Sequence, residues 1–212
     1  MSLLFTFITS LLLGMRHATD PDHIVAVTTI VTRERSVSKA AGIGAVWGIG
    51  HTLTLLVVGG AIIVFKFAMN ARLGLSLELC VAIMLIVLGV LNLFNIRAKT
   101  SHITPTRPFV IGVVHGLAGS AGAALLIVPL IDDPRWAALY LLTFGLGTVA
   151  GMALITVTIA FPSLLATAHL PSFQRQLRLA SGAVSLVFGL YLAHKIGFRD
   201  GLFTSQANWT PR

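Results

Sequence analysis

The chain has 212 residues, of which 56% are hydrophobic and only 10% charged, with a mean hydropathy of +0.90. Soluble globular domains carry roughly 25% charged residues, so this composition excludes one and points to an integral membrane protein. The net charge of +8 does not indicate a nucleic-acid binder, because Lys and Arg fall singly or in pairs at the ends of apolar runs, where they anchor helices at lipid headgroups.

A spanning helix needs about 20 apolar residues, which leaves room for about six spans and no hidden soluble domain. Taken along the chain, the apolar runs predict spans at 3–31, 40–65, 75–96, 109–131, 136–161 and 177–196. The breaks between them, "TRERSVSK", "KFAMNARLG", "RAKTSHITPTRP", "DDPR" and "HLPSFQRQ", are charged or turn-forming. The expected fold is an all-α single transmembrane domain over 1–212, with a short polar tail at 200–212. The first run has no basic segment before it, and Met15-Arg16-His17 is not a small-residue cleavage site, so it reads as a retained span.

Span one carries "RHATDPDHI", residues 16–24, with five ionisable groups in eight residues. The span is about 29 residues, or about 43 Å as a straight helix, against a hydrocarbon core of about 30 Å. Its midpoint is His17, and cutting it after Met15 would leave only about 20 Å of apolar helix, too short to cross. The motif therefore lies at membrane depth, where each charge costs about 2.5–3.5 kcal/mol on the insertion scale. Pro21 removes a backbone hydrogen bond and disfavours helical dihedrals at Asp20, which predicts a break in the first helix. Such breaks at depth are tolerated only where protein or water surrounds them. On an unbroken helix His17 and His23 would point about 120° apart. Local unwinding lets His17, Asp22 and His23 converge. Two imidazoles and a carboxylate suit Ni²⁺, Co²⁺ or Zn²⁺ better than Mg²⁺ or Ca²⁺. Arg16 and Asp20, at i and i+4, are placed to neutralise one another. The competing reading of the cluster is a structural ion-pair network that holds a kinked helix.

Span two adds "WGIGHTLTLL", with His51 directly after a small-residue seam of Gly42, Gly44, Gly48 and Gly50 that would admit a close partner helix. His51 is a ligand or an interhelical hydrogen-bond partner. In span three, Glu78, Asn92 and Asn95 read as caps, anchors or bridges. Cys80 is the lone cysteine, which excludes an intrachain disulfide framework and a cysteine-based metal cluster. Span four carries "HGLAGSAGAALL", in which His115 is a candidate metal or pathway residue, with Asp20, and Ser120 a weaker one. Thr148 in span five reads as a helix bridge, and His102, His169 and His194 as interfacial.

The two halves resemble one another in order. Gly14-Met-Arg-His17 matches Gly112-Val-Val-His115, Trp47-Gly-Ile-Gly50 matches Phe144-Gly-Leu-Gly147, and Val87-Leu-Gly89 matches Val187-Phe-Gly189. A repeat of three spans, an odd number, inserts its second copy upside down, which predicts a 3+3 inverted repeat, about 1–100 and about 101–199, with substrate near the midplane.

"RHATDPDHI" resembles the H-x4-D-H signature of the nickel/cobalt transporter superfamily, here His17-Ala-Thr-Asp-Pro-Asp22-His23. "GHTLT", residues 50–54, is similar to that family's second histidine motif, and "HGLAGSAG" to the small-residue motif of its shorter, urease- and hydrogenase-associated permeases. The resemblance implies a non-enzymatic permease for Ni²⁺ or Co²⁺, with His17, Asp22, His23 and His51 as metal-selecting residues. It implies no permanently bound cofactor, only the transported ion. The chain departs from the longer members in lacking acidic residues in its later motifs and in having Pro21. It has no His-rich loop like those of some exporters, which points to uptake.

The expected partners are the metal ion and the lipid bilayer, with a homo-oligomer left open and nucleic acid excluded. Counting Lys and Arg in the connections gives eight after spans one, three and five against six on the other side, which places both termini outside the cytoplasm of a cell membrane. Two other functions compete. One is a proton-coupled transporter of another solute that uses Asp20, Asp22 and the histidines as a relay. The other is a metal-dependent membrane enzyme, for which the H-E-x-x-H motif is absent.

Overall fold

A computed structural model describes residues 3–31, 34, 36–65, 70–96, 105–117, 128, 131, 133–169, 173–204 and 206–209. These residues form helices in the order α1 (Leu3–His17), α2 (Pro21–Val31), α3 (Val37–Phe65), α4 (Ala71–Leu93), α5 (Thr106–Leu117), α6 (Pro134–His169) and α7 (Phe173–His194), with no strand among them. A π turn, Lys195–Arg199, continues α7. Four segments are long and apolar enough to cross a membrane: α3, α4, Pro134–Leu165 of α6, and α7 with its π turn. Their outward surfaces remain apolar. Val57, Leu146 and Val187 are 65%, 63% and 66% exposed, an arrangement suited to lipid rather than water.

The expected first span is two helices. After α1, Thr19 and Asp20 donate their N–H groups to the carbonyls of Arg16 and His17 at 2.8 and 3.0 Å, a tightening to i→i−3 bonds that ends the helix. Pro21 then opens α2, a first-turn position where its missing N–H would have had no partner in any case. The bend is a compact turn of three residues. The expected fourth span is described as α5 up to Leu117. Ser120 with the whole of "AGSAGAALL", and also His102, lie outside the described residues, as does the side chain of His169.

Helix α3 packs on α5 and α6, while α1 lies on α6, α4 pairs with α7, and α2 touches α4, α6 and α7. Missing side chains set these approaches. A Cβ on Gly14 would collide with the Phe144 carbonyl, one on Gly112 with the Trp47 carbonyl, one on Gly50 with that of Phe109, and one on Gly147 with that of Leu11. Gly89 seats against Gly182 and Leu186, and Gly189 against Ala82 and Ile86. The seam expected in span two is only partly one. Gly44 faces Met152 and Thr156, and Gly48 faces Val149, but Gly42 is exposed with nothing within 4 Å of where a Cβ would stand. Two residues from Gly44, Gly42 is turned about 200° around the helix axis and so faces away from α6.

The far end of α4 closes in a Schellman motif. Asn95 adopts a positive φ of 51°, Ile96 N–H donates to the Leu91 carbonyl at 3.1 Å, and Asn95 N–H to that of Asn92 at 3.3 Å. The Arg178 guanidinium, from α7, donates to the Asn92 and Leu93 carbonyls. Asn92 Nδ2 donates to the Thr29 carbonyl at 2.9 Å and to Ser181 Oγ at 3.4 Å, so this one side chain ties α2, α4 and α7 together.

Candidate metal centre

The turn between α1 and α2 places two histidines at facing helix ends: His17 is the last residue of α1, and His23 lies in the first turn of α2. Their rings stand 4.7 Å apart, centre to centre. The middle of α3 supplies His51, with its ring 5.1 Å from that of His17 and 5.3 Å from that of His23. The α5 helix supplies His115, with its ring 4.1 Å from that of His23. Thus every histidine singled out in the sequence for a metal meets in one place, held by four helices. His23, His51 and His115 are fully buried and His17 is 7% exposed.

Two carboxylates fix how these rings present their nitrogens. Asp20 Oδ2 lies 2.8 Å from His17 Nδ1. Asp22 is bidentate, with Oδ1 3.2 Å from His23 Nδ1 and Oδ2 3.0 Å from His115 Nε2. A carboxylate only accepts, so the ring proton sits on the nitrogen facing it and the other nitrogen carries a lone pair. The lone pairs therefore lie on His17 Nε2, which accepts from His51 Nε2, and on His23 Nε2 and His115 Nδ1. The last two, with His51 Nδ1, have no hydrogen-bond partner among the described residues. Buried imidazole nitrogens left unpaired are costly in a purely structural core.

The spacing suits one ion. His17 Nε2 and His51 Nε2 are 3.2 Å apart. Two imidazole nitrogens bound to one divalent metal at about 2.0–2.1 Å and roughly at right angles stand about 3 Å apart. The potential ligand atoms fall into two groups, His17/His23/His51 and Asp22/His23/His115, and within each the atoms lie within 4.8 Å of one another.

The structure corrects one expectation. Asp20 turns to His17, and among the described ion pairs none joins it to Arg16, which is exposed. A carboxylate three residues from an imidazole across a tight turn is simply nearer than a guanidinium that extends outward. Gly48 and Gly50 serve as close-approach positions, against α6 and α5 respectively. Sequence reasoning missed the aromatic walls. Trp47 lies stacked on His23 at 6.0 Å and edge-on to His115 at 5.6 Å, while Phe144 lies 5.6 Å from His17. The match of Trp47 with Phe144 between the two halves was the available signal. Other polar residues lie outside the centre: Thr148 bonds within its own helix, and Glu78 accepts from the Trp209 indole at 2.9 Å.

The chain is 33% identical over 209 residues to the urease accessory protein UreH of Bacillus sp. (strain TB-90), an alignment covering 90% of this chain and 91% of that protein. The chain belongs to the nickel/cobalt transporter superfamily. It is accordingly a membrane transporter of a divalent transition-metal ion of the nickel class, and not an enzyme. A second similarity, 26% over 191 residues, is to the chloroplast protein FOR GROWTH AND FERTILITY 2 of Arabidopsis thaliana. It covers 80% of this chain but only half of that longer protein. No family model and no solved structure matches the chain.

Proposed function

We propose that the permease takes up Ni²⁺, with Co²⁺ as the alternative cargo, through the buried cluster of His17, Asp22, His23 and His51, with Asp20 and His115 flanking it. The observation that carries this reading is the convergence of four buried imidazoles, three of them with a nitrogen left without a partner among the described residues. A core built only for stability would pair or omit those groups. Imidazole-rich, thiolate-free coordination favours a borderline divalent ion over Mg²⁺ or Ca²⁺.

The expected 3+3 inverted repeat gains support from reciprocal contacts. Gly14 lies on Phe144 as Gly112 lies on Trp47, Gly50 on Phe109 as Gly147 on Leu11, and Gly89 on Leu186 as Gly189 on Ile86. Each pair maps onto the other when the halves 1–100 and 101–199 are exchanged, the behaviour of two copies related by a twofold axis. The single domain spans the cell membrane with its centre near the midplane.

Radiometal uptake into proteoliposomes tests the assignment. His17→Ala, Asp22→Asn and His23→Ala each reduce ⁶³Ni²⁺ uptake to the level of empty vesicles while the purified protein keeps its helical content and monodispersity. Wild-type uptake by any one of the three removes that residue from the site.

A further inference from the structure

Resting on the metal-permease reading, we infer that the centre contains two seats rather than one, and that the ion is handed from His17/His23/His51 to Asp22/His23/His115 across the shared His23. The donors form two groups whose members are mutually within 4.8 Å, with His23 common to both. The ring of His23 is central, 4.7 and 5.3 Å from those of His17 and His51 on one side and 4.1 Å from that of His115 on the other. Its two nitrogens divide accordingly. Nδ1 faces Asp22 at 3.2 Å and belongs to the second seat, which leaves Nε2, without a partner, for the first. A neutral imidazole has a single lone pair, so His23 ligates through Nε2 or Nδ1 but not both: the seats are not filled together, and as the ion passes from Nε2 to Nδ1 the ring proton passes from Nδ1 to Nε2.

The chemistry orders the two. The first seat offers nitrogens that already carry lone pairs, at His17 Nε2 and His23 Nε2. In the second seat two ring protons bridge Asp22 to His23 and His115, and an arriving ion must move each to the opposite nitrogen of its ring, whereas in the first seat only the proton shared by His17 Nε2 and His51 Nε2 stands in the way. The first seat is thus the tighter one and the second the seat of passage.

The packing gives the two seats matching surroundings. His17 lies 5.6 Å from Phe144 and His115 lies 5.6 Å from Trp47, and the glycine three residues before each histidine rests on the carbonyl of that same aromatic residue. If the halves are inverted copies, the seat at His17 faces one side of the membrane and the seat at His115 the other.

Equilibrium ⁶³Ni²⁺ binding and proteoliposome uptake are measured on the full purified chain, with Ni²⁺ alone as the probe. His115→Ala and His115→Gln keep one bound ion with affinity within about threefold of wild type, while uptake falls by at least about tenfold; His51→Ala loses at least about tenfold in affinity. Retained binding also reports that the His115 variants are folded, and X-ray absorption at the nickel edge should register the same number of imidazole ligands in them as in the wild type. Loss of binding in both His115 variants as severe as in His51→Ala means one compound site and overturns the hand-off. Wild-type uptake by the His115 variants overturns it as well. If His51→Ala and His17→Ala both bind and transport normally, the metal-permease assignment of this cluster fails, an outcome separate from failure of the hand-off.

Discussion

Asp20 and Asp22 leave the same turn but serve different rings: Asp20 holds only His17, whereas Asp22 spans His23 and His115. Asp20 therefore acts behind a ligand, fixing its tautomer and orientation. Removing such a partner usually costs about 10–100-fold in metal affinity. Asp20→Asn is expected to lower Ni²⁺ affinity by about that factor while uptake at saturating metal stays near wild type; unchanged affinity would mean that Asp20 does not set the His17 ring. The imidazoles also fix a pH dependence. Only the neutral ring ligates, so protons compete with the ion and acid must release it. Stepwise acidification of the ⁶³Ni²⁺ complex checks this, and metal retained by folded protein in strong acid would exclude histidine ligands. The H-x4-D-H stretch was legible in the sequence because five ionisable groups within eight residues stand out in an apolar run. The place of His115, and the walls of Trp47 and Phe144, were not. Those contacts cross between helices distant in the chain, and the match between the halves marks these residues without saying which rings they meet.

Among the elements, the break at Pro21 was readable from the covalent chemistry of proline, and so was its consequence that His17 and His23 approach. The outcome is more compact than unwinding, because α2 restarts at Pro21 itself. Which face each apolar helix buries was less readable. Helices that are hydrophobic all round have no polar face to mark the outside, and only their glycines report on neighbours. Even these mislead singly, as Gly42 does by facing open space. The contrast gives a test. Gly112→Ala places a methyl group against the Trp47 carbonyl and the backbone of His51, and should destabilise by about 1–3 kcal/mol, as overpacking does. It should also weaken Ni²⁺ binding by displacing His51. Gly42→Ala should leave both unchanged, within about 0.5 kcal/mol. Thermal unfolding in detergent, with and without Ni²⁺, reads both; equal effects of the two substitutions would show that the α3–α5 approach does not depend on the missing side chain.

For the whole molecule, the reciprocal contacts of the glycines tie architecture to mechanism. Two inverted halves, as proposed above, would give a centre that sees both sides of the membrane through equivalent surroundings, and the donors would break that equivalence because the Asp22–His23 pair occurs only in the first half. Inversion requires an odd number of crossings in each half, so the broken α1–α2 unit must count as one crossing and the termini must lie on the same face. The charge bias then predicts the face: the eight Lys and Arg residues in the connections after the first, third and fifth expected crossings outnumber the six on the opposite side, so both termini are expected outside the cytoplasm. Alkaline phosphatase and green fluorescent protein fused in turn to each end distinguish the possibilities, since the first is active only after export and the second fluoresces only when it remains in the cytoplasm. Phosphatase activity at both ends is expected. Fluorescence at both ends would reverse the orientation while keeping the inverted halves, whereas opposite results at the two ends would require an odd total of crossings and would rule out the 3+3 arrangement, together with the idea that the His17 and His115 seats face opposite sides.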